Sequence, residues 1–343
     1  MESGKTNLLG MTLAQLQEIC AAEGFPKFTA KQLCDWLYKH RVDSIDRMTN
    51  LSLAQRAHLQ EIACIGRETP VRCQVSRDGT KKYLFPVLDG QHVEAVYIPD
   101  DDRATLCVSC QAGCKMGCRF CVTGQQGFHG SLTAGDILNQ LFSIPEYESL
   151  TNVVFMGMGE PMDNLDAVLT ATEVMTAPWG LGWSPKRITV STVGIIPAMR
   201  RFIEESQCHL AVSLHNPVAA ERGQIMPVQR AYPLDEVLAL LRQYNWSGQR
   251  RLSFEYTMFR GLNDDQSHAQ KLVDALRGLE CRVNLIRFHS SPDAPFRTST
   301  PSAIAAFESY LNRHGVLCTL RASRGEDIDA ACGLLAGKNT DHK

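Results

Sequence analysis

Apolar positions along the chain change period twice. Over the first seventy residues they recur at helical spacing, and Leu33, Trp36 and Leu37 fall at i, i+3 and i+4, the inward stripe of a helix. Thr12 with Gln15, Thr29 with Gln32, and Ser52 with Gln55 each match the capping box that opens a helix. Between residues 70 and 99 the pattern becomes that of strands, and the pairs Asp78-Gly79 and Asp89-Gly90 separate the runs. Asp-Gly is a strong hairpin signal. A three-stranded meander is predicted, ending in HVEAVYIP with Glu94 in its last strand. Taken alone, a strand glutamate reads as a solvated face residue.

From about residue 104 strand and helix patterns alternate. Strands are expected at 105–109, 152–156, 187–191, 209–213, 252–256 and 282–286, with helices starting near Thr133, Leu165, Ile196, Leu234, Asp265 and Ser302. A seventh strand is expected at 316–322, before a short tail. Six βα units in a row imply a parallel sheet with helices on one side, because parallel strands need crossover connections. The fold class is α/β, and partial closure gives a (βα)6 partial barrel whose chemistry collects at the C-terminal strand ends. A doubly wound open sheet is the alternative. The expected division is a small helical accessory domain at 1–70, a β-meander extension at 71–103, the barrel at 104–322 and a tail at 323–343.

Composition changes this picture only at cysteine. A hydrophobic fraction of 44% and a charged fraction of 21% describe an ordinary globular protein. No apolar run approaches the eighteen residues of a membrane span, and MESGKTNLLG lacks the apolar core of a signal peptide. A cytoplasmic location is the default. The 13 cysteines therefore suggest bound or catalytic thiols in a reducing compartment rather than disulfides. Cys20, Cys34, Cys64 and Cys281 lie in apolar-periodic segments and read as small core residues. The net charge of −2 carries no nucleic-acid signature. Lys81, Lys82, Arg103, Arg119, Arg200 and Arg201 could contact phosphates, but each by itself reads as a surface charge.

Cys114, Cys118 and Cys121 in CKMGCRFC, just after the first barrel strand, carry most of the chemistry. Three close thiolates can hold three irons of a cubic iron–sulfur cluster. No fourth cysteine follows at a regular spacing, which leaves one iron open to a small molecule. A zinc site would need a fourth ligand, for which Cys107, Cys110 and His129 are the local candidates. Gly113, Gly117, Gly124 and Gly127 would let the backbone fold round a cluster. After the second strand comes GMGEPMDN, in which Gly157 and Gly159 permit close approach of a ligand and Glu160 offers a carboxylate to a ligand ammonium. Ser191-Thr192, Ser213-Leu214-His215, and Asn284 with His289 add polar groups after later strands. Singly these are weak; on one rim of a barrel they reinforce each other.

CxxxCxxC after strand one and GMGEP after strand two resemble the radical S-adenosylmethionine (SAM) superfamily. Within it the chain resembles the adenosine-C2 RNA methyltransferases, which modify an adenine of 23S ribosomal RNA and, in many bacteria, of transfer RNA. The matching pieces are RATLCVSCQAGCKMGCRFCVTGQQGF, FMGMGEPMDNLDAV, ITVSTVGIIPA, HLAVSLHNP, VNLIRFH and RGEDIDAACGLLAG, and the N-terminal helices resemble the family's RNA-binding accessory domain. The resemblance implies a [4Fe-4S] cluster on Cys114, Cys118 and Cys121 and two SAM molecules per turnover. One SAM would methylate Cys332; a second, chelated to the open iron, would be cleaved to a radical that takes hydrogen from that methyl group. The methylene would add to adenine C2, Glu94 would remove the C2 proton, and Cys107 would attack the Cys332 sulfur, leaving a transient disulfide. Implied SAM contacts are Gly159, Glu160, Ser191, Ser213, Leu214 and His215, together with His289, where the family commonly has asparagine. Cys110 stands where relatives often have serine. An electron donor such as flavodoxin, no membrane and a monomeric state are the further expectations. The competing readings are the sister group that methylates adenine C8, from which Pro161 and Gln125-Gln126 point away, a radical SAM enzyme acting on a protein or small molecule, and a non-catalytic iron–sulfur RNA-binding protein.

Overall fold

A computed structural model describes residues 4–248, 250–289 and 295–337. Ten strands form one sheet in which every strand lies beside its neighbour in sequence. They are β1 (Arg72–Val75), β2 (Lys81–Pro86), β3 (His92–Asp100), β4 (Arg103–Cys107), β5 (Asn152–Phe155), β6 (Ile188–Thr192), β7 (His209–Ser213), β8 (Leu252–Met258), β9 (Arg282–Arg287) and β10 (Leu317–Leu320). Pairing is antiparallel from β1 to β4 and parallel from β4 to β10. A doubly wound sheet reverses its strand order at a switch point; here there is no reversal, so right-handed crossovers place the helices on one side. The expected barrel is therefore present as an open one. The meander runs into it without a break, because β3 and β4 form a hairpin, and the 103/104 boundary read from the sequence falls inside β4.

The outer layer comprises α4 (Ala134–Phe142), α5 (Leu165–Thr176), α6 (Ile196–Glu205), α7 (Leu234–Leu241), α8 (Gln266–Leu276) and α9 (Pro301–Arg313), each starting near its expected position. Preceding them are α1 (Leu13–Ala22), α2 (Thr29–Cys34) and α3 (Leu53–Ile62). Capping boxes form at Thr12 and Ser52. The one expected at Thr29 does not: Thr29 is already helical and buried, and Phe28 stands at the cap with no side-chain bond. Burial of Leu33 and Leu37 decides the orientation of α2, and the hydroxyl of Thr29 turns inward with it. The N-terminal helices share one apolar core with the barrel. They dock on α4, where Asn139 exchanges two hydrogen bonds with the Glu68 backbone (3.1 and 2.9 Å).

Alternation along the strands builds the interior. On β8, Phe254 and Tyr256 pack under the helices, while Glu255 and Thr257 point into the barrel. Register aligns Ser213 with Glu255 and Glu255 with Asn284. The barrel therefore holds a polar row where a filled barrel would be apolar. Among the described residues no helix is long and apolar enough to cross a membrane. Cys20 and Cys34 are buried as expected, whereas Cys64 and Cys281 are only half-buried, and no disulfide joins any of the 13 cysteines.

Candidate active site

The chain leaving β4 is fixed before it reaches the cysteine triplet. Gln140 on α4 brackets Ser109, accepting from its N–H and donating to its carbonyl (both 2.9 Å). Gln111–Gly113 then pairs with Phe128–Ser131 as a small antiparallel ribbon. The segment between them is the cysteine loop, pinned at its base by Cys114 N–H to Gly127 O (2.8 Å). Gly113 has φ +75°, and a Cβ there would lie 2.0 Å from that carbonyl, so the pinch requires glycine.

Cys114, Cys118 and Cys121 line one cavity of about 1000 Å³, counting its solvent-open part, at the C-terminal ends of the strands. Burial pushes the Cys114 thiol up to about 12 and raises Cys118 and Cys121 as well. Iron binding would displace these protons and offset that cost. Among the described residues no three His, Cys, Asp or Glu donors converge on a single metal position. Three thiols on one short loop, lining one cavity and near enough to feel one another's charge, are the donor type that an iron–sulfur cubane takes.

Gly157, Gly159, Glu160, Ser191, Ser213 and His215 share that cavity. The glycines have a further reason to be there. A Cβ on Gly157 would lie 2.7 Å from Ser109 Oγ, and one on Gly159 would lie 2.6 Å from Gln111 Cβ. They let the turn after β5 close onto the chain after β4. Glu160 is buried, its two oxygens accepting Met162 N–H and Val193 N–H (both 3.0 Å). Burial raises it to about 7 against the pull of those donors. His215 holds a left-handed backbone at φ +54°, a strained state for a non-glycine residue. Its Nδ1 accepts Thr257 N–H at 2.9 Å, and burial, then the Arg222 charge, lower it to about 3. The imidazole is neutral and its proton sits on Nε2 by elimination: a fixed donor in the cavity wall.

Cys332 also faces the cavity, carried by the tail, and is exposed. Cys107 lies behind it at the end of β4. Burial, then the Cys332 sulfur, raise Cys107 to about 12, while the Arg321 guanidinium works the other way. Glu94 is not a solvated strand residue. It is buried, paired with Lys82 (3.2 Å), and accepts Ala336 N–H (2.8 Å) from the tail. Leu214, fully buried, and His289 do not line the cavity; His289 Nε2 is 2.9 Å from Ser323 Oγ. Cys110 is buried near Cys114 and Glu160.

The sequence reading missed Glu255 and Arg321, an ion pair (3.3 Å) on the cavity wall. A glutamate inside the apolar run LSFEY was the available signal. It also missed Arg222, which is completely buried and lies in a stretch that reads as an ordinary charged helix.

Residues 108–273 match the profile of the radical SAM superfamily, and residues 6–65 that of the ribosomal RNA large subunit methyltransferase N-terminal domain. A crystal structure of a radical SAM methyltransferase from Sphaerobacter thermophilus superposes with a TM-score of 0.91 at 41% identity, covering 97% of this chain and 100% of that one. Fold and site thus define a radical SAM methyltransferase. The "Dual-specificity RNA methyltransferase RlmN" of Syntrophus aciditrophicus is 42% identical over 100% of both chains. The "Probable dual-specificity RNA methyltransferase RlmN" of Parabacteroides distasonis is 55% identical over 97% of each. The chain belongs to the RlmN family and is a SAM-dependent RNA methyltransferase; membership of the superfamily implies a 4Fe-4S cluster and SAM.

Proposed function

We propose that the enzyme methylates C2 of an adenine in 23S ribosomal RNA and in transfer RNA, with Cys332 as methyl carrier and Cys107 as the thiol that releases product. The observation that carries this is the placement of Cys332 in the cavity lined by Cys114, Cys118 and Cys121, with the buried Cys107 near enough to feel its sulfur. Bound on those three thiolates, the cluster would supply the reductive cleavage of SAM that starts radical chemistry. Two SAM molecules are used per turnover, one for the Cys332 methyl group. Glu160 receives the SAM ammonium, and Ser191, Ser213 and the His215 donor hold the rest, with Gly159 closing the turn beneath them; Leu214, whose N–H and C=O are taken by Glu255 O and Arg222, only sets the course of the chain between them. We leave His289 out of this set because its Nε2 is engaged by Ser323. After the Cys332-borne carbon has joined C2 and the adduct has given up one electron, for which the cluster held by Cys114, Cys118 and Cys121 would be the acceptor, Glu94 takes the C2 proton, giving up its Ala336 contact to do so. Cys107 then forms a disulfide with the Cys332 sulfur as the Cys332 S–C bond breaks, and its thiol proton passes to the released carbon to complete the methyl group.

The helical unit at 1–70 serves as RNA platform, the meander at 71–103 and the described part of the tail at 323–343 frame the mouth of the barrel at 104–322, and the protein works as a cytoplasmic monomer reduced by a flavodoxin-type donor. Residues 338–343 of that tail lie outside the described residues. Mass spectrometry of nucleosides from ribosomal and transfer RNA, treated with anaerobically reconstituted enzyme, tests the reading. 2-Methyladenosine is expected; 8-methyladenosine, or no base methylation, would contradict it.

A further inference from the structure

Arg222 is fully buried on the short helix Ala219–Ile225. Its guanidinium donates to Leu214 O (3.1 Å), Gln229 Oε1 (2.6 Å), Val193 O (3.1 Å) and Ser213 O (3.0 Å). Every acceptor is neutral, and among the described residues no carboxylate pairs with this cation. An unpaired charge in an apolar interior is strongly disfavoured. Neutral donors such as glutamine could tie the same carbonyls without that cost. The charge itself therefore needs a reason.

The surroundings supply one. Arg119 N–H, on the cysteine loop, donates to Ile225 O (3.0 Å), so the Arg222 helix packs directly on that loop. Cys118, Val193, Ile225, Met226 and Phe259 pack together there in one buried apolar cluster, low-dielectric surroundings in which a charge is felt strongly. Arg222 and Cys118 lie within electrostatic reach of each other there, so a Cys118 thiolate would feel the guanidinium charge.

We propose that Arg222 is the fixed counter-charge of the iron–sulfur cluster, set behind Cys118 to favour the reduced state. This rests on the cluster reading given above. A cubane on three thiolates carries net negative charge, and reduction adds one more, so a nearby cation favours reduction and raises the potential. With four donor contacts to protein, the guanidinium acts through its field and touches no reactant.

The test is an EPR-monitored redox titration of the full-length, anaerobically reconstituted protein without SAM. Arg222→Gln removes the charge. Gln229→Glu cancels it with an isosteric carboxylate and serves should Arg222→Gln fail to fold. Arg222→Lys keeps the charge while losing the forked contacts. At a fixed potential, the ratio of reduced to oxidised cluster is expected to fall roughly tenfold in Arg222→Gln and Gln229→Glu, about 59 mV for one electron, and to stay near wild type in Arg222→Lys. A purely structural arginine would lower the melting temperature of Arg222→Lys as well and leave all midpoints equal. Equal midpoints at full cluster content overturn the inference. A wild-type protein that assembles no cubane dependent on Cys114, Cys118 and Cys121 overturns the cluster reading first, and iron analysis tells the two failures apart.

Discussion

The cysteine loop and the C-terminal tail bring sulfur to the same cavity from opposite kinds of structure. The loop is clamped at its base by a glycine pinch and a β-ribbon, and its Cys114 and Cys118 are buried. The tail carries an exposed Cys332 between the buried Ala331 and Leu335, and it is held besides by separate polar ties. Gly325 N–H reaches Asp78 (2.9 Å), Lys82 reaches Asp329 O (3.3 Å), Thr123 Oγ1 reaches Leu335 O (2.7 Å) and Gly333 O accepts Val122 N–H (2.8 Å). Permanent ligands need a rigid shell. A sulfur that must receive a methyl group, meet RNA and then meet Cys107 needs one that opens at low cost.

The largest effects should separate the two regions. Cys118→Ala is expected to lose the cluster and all RNA methylation together, read by iron content and visible absorbance. Cys332→Ala should lose all RNA methylation while keeping wild-type iron. Cys107→Ala should sit between them: cluster intact, Cys332 methylated, and protein trapped on RNA as a slow-migrating band that nuclease removes. Loss of iron in Cys332→Ala would break the contrast.

Next in size is a pH effect at Glu160. Its pKa near 7 is above the ordinary carboxylate value. Below pH 7 the group is protonated, and binding of an ammonium must expel that proton. SAM affinity, measured by calorimetry, should weaken by up to about tenfold per pH unit below 7, and Glu160→Gln should bind weakly with a flat profile. For the apo protein the sign is opposite: the group's contribution to stability is full below about pH 4 and declines as pH rises to 7. The smallest effect sharpens the tail. Thr123→Val leaves the Leu335 carbonyl unpaired and should loosen the tail by about 1–2 kcal/mol, lowering methylation several-fold with iron content unchanged.

Strand–helix alternation made the barrel legible, since each inward strand face and outward helix face imposes its own period. The rim was legible because each polar cluster follows a strand. What escaped the sequence depends on which way a side chain turns in three dimensions. Thr29 matches a capping box, but the burial of Leu33 and Leu37 places it inside the helix. Glu94 looks solvated on β3, but the tail lies across that face and Lys82 neutralises it. Arg222 sits among polar neighbours in sequence and is, among the described residues, the largest of the fully buried side chains. His289 follows the right strand and yet turns to Ser323.

Mössbauer spectroscopy of the 57Fe-reconstituted protein, with and without SAM, tests the central claim most directly. The account predicts a cubane in which a single iron site changes its isomer shift when SAM is added, in wild type and in Cys332→Ala alike. A cubane indifferent to SAM in wild type, with Cys332 acting as its fourth ligand, would contradict it.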